Sequence, residues 1–250
     1  MNTNSTLEKL RQLKLYGMLE NYNAVINLPV QQQPETMHHL VALLAQAEDE
    51  YRNHHRTQRQ LRRSKLRYDA TLEEVICGSK RNLSKETIIT LSDCSYVKKG
   101  TNILICGSTG SGKSFLACAL ANRACHSGYS VLYLRMNKFI REIASAKLEG
   151  TIAKKLRQLE KINLIVFDDF GMQKLDADTR LILLDILEDR YKKGSTIVTS
   201  QYPVANWYES IGENPTAADG IMDRLTAGAH RIELKGSSLR KKTETDQRID

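Results

Sequence analysis

The chain has 250 residues, of which 41% are hydrophobic and 26% charged, a composition typical of a soluble globular protein. It contains no apolar run near the roughly eighteen residues that a membrane helix needs, so we predict no membrane partner. The net charge of +8 and the pI near 9.2 favour a polyanionic partner instead.

The cysteines and histidines carry no metal-binding pattern. The five cysteines lack C-x-x-C spacing, so we expect reduced core thiols in a cytoplasmic protein. The pairs His38-His39 and His54-His55 are predicted to lie on different helix faces at the surface. The first six residues lead directly into an amphipathic helix, which argues against a signal peptide.

Two helices are predicted in the N-terminal region. Apolar residues at helical spacing predict the first helix over residues 7–26, and Pro29 and Pro34 end this pattern. A second helix is predicted from Pro34 to about Lys65, with an apolar stripe in its first half. We place a domain boundary at residue 67, so that a small helical domain, 1–67, precedes a larger domain, 68–250.

The second half of the second helix is strongly basic. Between Glu50 and Arg67 the chain has seven cations and one acid, so these charges are expected to lack local partners. A solvated helix face is the alternative, but this imbalance favours contact with DNA phosphates. The residues predicted to bind DNA here are Arg52, Arg56, Arg59, Arg62 and Arg63.

Residues 68–100 are predicted to form a loop-rich connector, which leads to a short strand over 102–106 and then to a glycine-rich motif. The motif matches G-x-x-x-x-G-K-[ST] at every fixed position and is followed by an alanine- and leucine-rich helix. Its glycines allow backbone N–H groups to face a phosphate, while Lys113 supplies charge to the β- and γ-phosphates and Ser114 a hydroxyl to Mg²⁺. A turn that binds nothing is the disfavoured alternative. The motif therefore predicts ATP and Mg²⁺ as cofactors, with ATP bound by Gly107, Ser108, Thr109, Gly110, Ser111, Gly112, Lys113 and Ser114.

A second basic segment follows the next predicted strand, 130–134. Residues 135–161 carry eight cations and three acids, and Gly150 divides the segment into two predicted helices. DNA contact and a plain amphipathic surface are equally supported by this pattern. The candidate DNA contacts in this segment are Lys138, Arg141, Lys154 and Lys155.

An almost continuously apolar run, 162–167, ends in Asp168 and Asp169, as expected of a parallel strand buried on both faces. Ligands bind at the carboxyl edge of such sheets, so we predict that Asp168 holds Mg²⁺ and that Asp169 polarises the attacking water. A helix over 177–192 and a strand over 195–200 follow. The latter strand ends at Gln201, which would lie beside the γ-phosphate. The last predicted strand is 230–234.

Short strings along the chain carry a resemblance to a known family. They are Gly107 to Ser114, Asp168-Asp169-Phe170-Gly171, Asp189-Arg190-Tyr191, Thr199-Ser200-Gln201, Asn206-Trp207, Asp223-Arg224-Leu225, Gly236-Ser237-Ser238-Leu239-Arg240 and, in the N-terminal region, Leu13 to Met18 and Glu50 to Arg67. On these strings the chain resembles the AAA+ ATPases. More narrowly, it resembles the IstB family, the helper ATPases of insertion-sequence transposition, which are related to the DnaC-type helicase loaders.

The resemblance implies an α/β AAA+ P-loop fold with a five-stranded parallel sheet flanked by helices, without the C-terminal helical lid. It also implies that Arg224 is an arginine finger that enters the ATP site of a neighbouring subunit, and that Arg240 is a second phosphate sensor. Lys113, Asp169 and Arg224 are thus the predicted catalytic residues. The family usually has Asp-Glu at Asp168-Asp169, and the shorter Asp169 predicts slower hydrolysis. The family commonly has Asn at the position that Gln201 occupies in this chain.

The predicted function is that of an ATPase that forms a homo-oligomer on double-stranded DNA with ATP and recruits or activates a transposase. A replicative helicase loader would share nearly all of these motifs. A small-molecule P-loop kinase is a third alternative, which the two basic segments and the missing substrate lid disfavour.

Overall fold

The structure is a computed structural model that describes residues 3–212 and 214–239. The chain folds into two compact units, with the division between Arg59 and Gln60. This division falls within one continuous helix, and the domain boundary at residue 67 stays a prediction. No helix in the described ranges is both long enough and apolar enough to span a membrane.

The N-terminal unit is helical, and it consists of α1 (Thr3–Gln12), α2 (Tyr16–Ile26) and the larger part of α3 (Met37–Ser64). The prediction of one helix over 7–26 was wrong. The chain turns sharply between α1 and α2 because Lys14 adopts a left-handed conformation with φ of 58°. The second predicted helix is confirmed by α3.

Glu48 of α3 fixes the start of α2. Its carboxylate, which is only 6% exposed, accepts hydrogen bonds from the backbone N–H of Gly17 at 2.8 Å and of Met18 at 3.2 Å. Arg52 Nε donates to the same carboxylate at 2.7 Å. A side chain at Gly17 would overlap the backbone of Ala47, so only glycine permits this close approach. Burial raises the pKa of Glu48, but the hydrogen bonds from Arg52 and the two amides outweigh burial and lower it.

The second unit contains a parallel sheet with the strand order β2-β3-β4-β1-β5 among the described residues. The strands are β1 (Ile103–Gly107), β2 (Val131–Arg135), β3 (Leu164–Phe170), β4 (Ser195–Ser200) and β5 (His230–Leu234). The helices are α4 (Lys85–Ser92), α5 (Ser95–Lys99), α6 (Lys113–His126), α7 (Met136–Leu148), α8 (Ile152–Glu160), α9 (Ala177–Arg190), α10 (Trp207–Ile211) and α11 (Pro215–Thr226).

Each face of the sheet is covered by its own apolar layer. The alternating side chains of β1 and β3 enter both layers: Ile105 and Val166 pack with α6 and the connector, whereas Leu104 and Ile165 pack with α7, α9 and α11. Such two-sided burial explains the continuous apolar run of β3. The α/β architecture with five parallel strands is therefore confirmed.

Three local features differ from or refine the expectations. The connector contains α4 and α5 rather than only loops, and α10 and α11 were not predicted. All five cysteines are free thiols, and four of them are buried. Burial raises the pKa of Cys106 and Cys125 to about 11, which keeps both thiols neutral.

We predict that Glu48→Gln loosens the start of α2, because the neutral amide accepts hydrogen bonds more weakly than the carboxylate and loses the ion pair with Arg52. The expected loss is about 1 to 3 kcal/mol of local stability, measured as reduced hydrogen-exchange protection of the Gly17 and Met18 amides. The lowered pKa means that the wild-type contribution is present above the ordinary carboxyl pKa and is lost as pH falls through the folded-state value. The variant should lack this pH dependence.

Glu50→Gln is the matched control, since Glu50 lies exposed on the same helix and its carboxylate accepts from Gln46. Equal loss of protection in the two variants would contradict the assigned role of Glu48.

Candidate nucleotide site

The glycine-rich motif forms a tight loop between β1 and α6. Gly110 has φ of 78°, and a side chain there would overlap Ser238. A side chain at Gly107 would likewise overlap the Leu234 carbonyl. The loop is therefore packed closely beneath the segment after β5, whose Leu239 N–H donates to the Gly110 carbonyl at 3.0 Å. Glycine is required here both by backbone conformation and by lack of space.

Two cations contact this loop from different sides. The Lys113 side chain is buried at the first turn of α6, and its Nζ donates to the Ser108 carbonyl at 2.9 Å. Arg81, in the connector, donates from its guanidinium to the Ser111 carbonyl. The Arg81 carbonyl in turn accepts from the Lys235 N–H at 3.0 Å. The connector, the loop and the segment after β5 are thus joined at one place.

Asp168 lies at the end of β3 and is fully buried. Its Oδ1 accepts from the Ser114 hydroxyl at 2.7 Å and from the Thr199 hydroxyl at 2.5 Å, while the Tyr133 hydroxyl donates to its Oδ2. Burial, followed by the charge of Asp168, raises the pKa of Tyr133, so this phenol stays protonated as a donor. The Arg67 guanidinium lies 3.6 Å from Oδ2.

Asp169 points differently from Asp168, because the strand is irregular between Phe167 and Phe170. Asp169 has φ of 62°, and its N–H donates to the Thr199 hydroxyl at 3.2 Å. The pKa of Asp169 is raised, mainly by burial and to a smaller extent by the neighbouring charge of Asp168. The bulge thereby places Asp169 at the wall of a cavity, while Asp168 lies behind it.

The cavity, which we call the loop cavity, has a volume of about 620 Å³, within the range of small-molecule sites. Its polar end contains Thr109, Lys113, Ser114, Asp169 and Gln201. The Thr109 hydroxyl donates to Gln201 Oε1 at 2.7 Å, so the strand-end glutamine does reach the loop. Its apolar end contains Tyr68, Val75, Ile76, Leu83, Phe115, Leu116, Leu234 and Leu239.

The donor groups of this cavity fit a nucleotide with a divalent cation. Backbone N–H groups at the start of α6 and the Lys113 ammonium suit phosphate oxygens. The Ser114 hydroxyl and the Asp168 carboxylate, which are adjacent, are the hard oxygen ligands that Mg²⁺ prefers. The apolar end, half of whose residues come from the connector, has the character needed for a planar base.

The predicted arginine finger, Arg224, does not join this cluster. Asn102 immediately precedes β1, and its side chain donates to the Arg224 carbonyl at 2.8 Å, so Arg224 lies at the sheet edge opposite the loop. Its guanidinium pairs with Glu188 at 2.8 Å and with Asp223, and it lies 5.0 Å from the centre of the Tyr191 ring. Arg240 lies outside the described residues.

Most of the predicted DNA contacts are exposed, but several have acidic partners. Arg52 pairs with Glu48, so the expectation that the first basic run lacks local partners was wrong for this residue. In the second segment Glu142 pairs with both Lys138 and Lys155. The exposed residues of the two predicted sets are Arg52, Arg56, Arg59, Arg62, Arg63, Lys138, Arg141 and Lys154, while Lys155 is half-buried.

A sequence model described as "IstB-like ATP binding protein" matches residues 8–247. The chain belongs to this family. Its relatives include the insertion sequence ATP-binding protein y4uH of Sinorhizobium fredii (strain NBRC 101917 / NGR234), which is 40% identical over 238 residues and is matched over 94% of each chain. The resemblance to IstB proteins drawn from the sequence motifs is therefore confirmed.

Solved structures support the fold of this IstB-like protein. The DnaC helicase loader matches with a TM-score of 0.54 and 21% identity, over 67% of this chain and 98% of that chain. The replication initiator DnaA bound to AMPPCP and single-stranded DNA matches with a TM-score of 0.58 and 21% identity. This match covers 73% of the present chain and 55% of the DnaA chain. At such identities the likeness shows the AAA+ fold alone.

Several residues in or beside the loop cavity were missed by the sequence analysis of this IstB-like chain. Tyr133 and Thr199 lie on the two strands that neighbour β3, which marks them as partners of Asp168 once the strand order is known. Arg67 was included only in the basic run, and Arg81 carried no sequence signal. Residues of the connector also line the apolar end of the cavity, among them Tyr68, Val75 and Ile76.

We predict that Gly110→Ala releases the segment after β5 from the loop, because the added methyl group overlaps Ser238. The expected readout is loss of hydrogen-exchange protection at the Leu239 amide. Gly150→Ala is the matched control: Gly150 has φ of 67°, but nothing lies within 4 Å of its missing side chain. It should incur only the left-handed penalty of about 1 to 2 kcal/mol.

Adding Ser238→Gly to Gly110→Ala should restore part of the Leu239 protection, since it removes the overlapping atoms. If Leu239 remains fully protected in Gly110→Ala, the close packing between the loop and this segment is wrong.

Proposed function

We propose that this chain is a cytoplasmic, Mg²⁺-dependent AAA+ ATPase that assembles on duplex DNA with ATP and there recruits or activates a transposase. The observation that carries the proposal is the complete phosphate-binding loop with Ser114 and Asp168 hydrogen-bonded beside it. The insertion-sequence relatives support the transposition context.

In this proposal the polar end of the loop cavity binds the triphosphate. Lys113 neutralises the β- and γ-phosphates, and Ser114 and Asp168 hold Mg²⁺. When bound, the metal supplies charge neutralisation of the phosphates. Asp169 accepts a hydrogen bond from the attacking water, and its raised pKa suits it as a proton acceptor. Gln201, held by Thr109, contacts the γ-phosphate.

Arg224 is proposed to complete the site of a neighbouring subunit. Its location at the opposite sheet edge excludes a contact with the loop of its own subunit, and its guanidinium is 27% exposed and held by Glu188. In related phosphoryl-transfer enzymes an arginine finger increases the rate of the reaction by a factor of about 10³ to 10⁵. A nucleotide bridging two subunits would stabilise the assembled form. Arg240 is retained as a proposed second sensor.

Each unit is proposed to contact DNA through its own exposed cations, those of α3 in the one case and those of the end of α3, α7 and α8 in the other. Phosphate contacts of this kind position a protein on duplex without reading its sequence. The carbonyl and carboxylate partners of some of these residues, such as Glu142, would be exchanged for phosphate oxygens on binding.

A helicase loader is the second candidate, and the fold similarity to the DnaC helicase loader favours it. Co-purification of the nucleotide-bound protein with a transposase, and not with a hexameric helicase, would support the first candidate. The reverse result would establish the second.

We predict that nucleotide drives assembly of the wild type, and that Lys113→Ala and Arg224→Ala reduce it by different routes. Lys113→Ala should lose nucleotide binding. Arg224→Ala should bind nucleotide normally but assemble weakly and lose about 10³-fold or more in turnover. Sedimentation velocity with and without ATP and magnesium, together with nucleotide titration, measures both effects.

Arg231→Ala is the control, since Arg231 is also an exposed arginine, on β5. If Arg224→Ala assembles and hydrolyses like the wild type, the finger assignment is wrong.

We predict a steep salt dependence of DNA binding. If about six of the cations contact phosphates, log K should fall with log salt at a slope of about −5. Replacing Arg56 and Arg59 by Gln should make the slope shallower by about 2, measured by fluorescence polarisation with a labelled duplex. Replacing the exposed Lys85 and Lys98 by Gln changes the net charge equally and should leave the slope unchanged. A flat salt response of the wild type would contradict the DNA proposal.

A further inference from the structure

A second cavity lies beside β2 in the larger unit, and we call it the basic cavity. Its volume is about 610 Å³, and Leu132, Leu134 and Leu159 form part of its wall. The cations that line it come from the end of α3, the segment directly after α3, β2, α7 and α8, and they are Arg63, Lys65, Arg67, Arg135, Lys138 and Lys155. Cations from five segments therefore converge on one concave surface.

The charges of this cavity are poorly balanced. Among the described residues, Glu142 is the one acid in its lining, and it pairs with Lys138 and Lys155. Within the described part of the chain, no carboxylate lies at ion-pair distance from Arg63, Lys65 or Arg135. Asp168 lies outside the lining but contacts Arg67. When it is counted with Glu142, six cations face two carboxylates. A concave site with this excess attracts a multiply charged anion.

Arg67 belongs to both cavities. It lines the loop cavity as well as the basic cavity, and its guanidinium lies 3.6 Å from Asp168 Oδ2 and 5.0 Å from the centre of the Tyr68 ring. Ser114 and Thr199 donate to the other oxygen of Asp168. Arg67 is therefore the cation that neutralises the carboxylate proposed above as a magnesium ligand.

We propose that the basic cavity binds a phosphate group, and that Arg67 couples this phosphate to nucleotide binding in the loop cavity. A guanidinium beside Asp168 competes with a metal ion for the same carboxylate. A phosphate in the basic cavity offers Arg67 a bidentate partner, which a guanidinium binds strongly. Arg67 then turns from Asp168 to the phosphate, and Asp168 is released to hold magnesium. The coupling rests on the proposed function of Asp168.

The coupling is reciprocal, because each ligand must favour the same position of Arg67. A phosphate in the basic cavity tightens the binding of magnesium nucleotide, and magnesium nucleotide tightens the binding of the phosphate. The phosphate belongs either to the DNA backbone or to a free phosphate ion, and the experiment distinguishes these sources.

The test measures the Kd of a fluorescent, non-hydrolysable ATP analogue for the full chain, with magnesium or with EDTA, and with or without saturating short duplex DNA. For the wild type, DNA should lower the Kd in magnesium about fivefold or more and leave the Kd in EDTA unchanged. Arg67→Gln should bind magnesium nucleotide more tightly than the wild type without DNA, and DNA should then have no effect.

A matched pair of double variants tests the cavity itself. Lys138→Gln with Lys155→Gln removes two cavity cations, and it should abolish the DNA effect even at saturating DNA. Lys85→Gln with Lys98→Gln makes the same charge change at exposed helix residues outside both the cavity and the proposed DNA contacts, and it should keep the effect. Since these side chains lie on helix surfaces, the pair also decides the question if Arg67→Gln fails to fold.

Inorganic phosphate replaces DNA in a third set of titrations. Phosphate that enters the loop competes with nucleotide and raises its Kd, whereas phosphate in the basic cavity lowers it. If only DNA lowers the Kd of the ATP analogue, the cavity binds backbone phosphate. If DNA and inorganic phosphate both lower this Kd, the cavity binds either source of phosphate. If DNA binds the wild type but changes no Kd in magnesium, or if Arg67→Gln responds like the wild type, the coupling is wrong.

Failure of the proposed function has a different result. A wild type that does not bind duplex at all contradicts the DNA proposal, and the phosphate titration then decides on the cavity. A wild type whose nucleotide affinity is identical in magnesium and EDTA, with and without phosphate, contradicts the metal assignment of Asp168 and the coupling together.

Discussion

The buried carboxylate of Asp168 is the constraint on which the larger unit depends. A charge without solvent exposure is costly unless hydrogen bonds surround it. Its partners come from α6, β2, β4 and the segment directly after α3, and they are Ser114, Tyr133, Thr199 and Arg67. The strand order and the depth at which α6 packs must therefore be correct together. The same convergence brings the start of α6 beside a metal-type ligand, so the stability of the fold and the chemistry of the site have one origin.

The opposite edge of the sheet satisfies its polar groups differently. Arg190 is buried there, and its guanidinium donates to the carbonyls of Leu159, Ile162 and Ser195. Burial lowers its pKa to about 10, so it stays charged at neutral pH. This arrangement ties the ends of α8 and β4 to α9, from which Glu188 reaches Arg224. These contacts hold the segments of this edge together.

Much of the larger unit follows from local sequence. The five strands, the phosphate-binding loop and the division of the second basic segment at Gly150 were all predicted, because each depends on patterns within a few residues. The break at Lys14, the bulge at Asp169 and helix α11 were not, since tertiary contacts decide them. The partners of Asp168 could not be found without the strand order. Arg67 illustrates the limit best: its charge was evident, but its contact with Asp168 is a property of the assembled sheet.

The packing of Ser238 and Leu239 over Gly110 has a consequence for biosynthesis. Strand β1 has β4 and β5 as its two neighbours, and both follow it in the chain. A growing polypeptide on the ribosome therefore exposes the loop long before the strands and the segment that support it have been made. The contacts of the loop with Ser238 and Leu239 can form only after β5 and the residues that follow it have been translated.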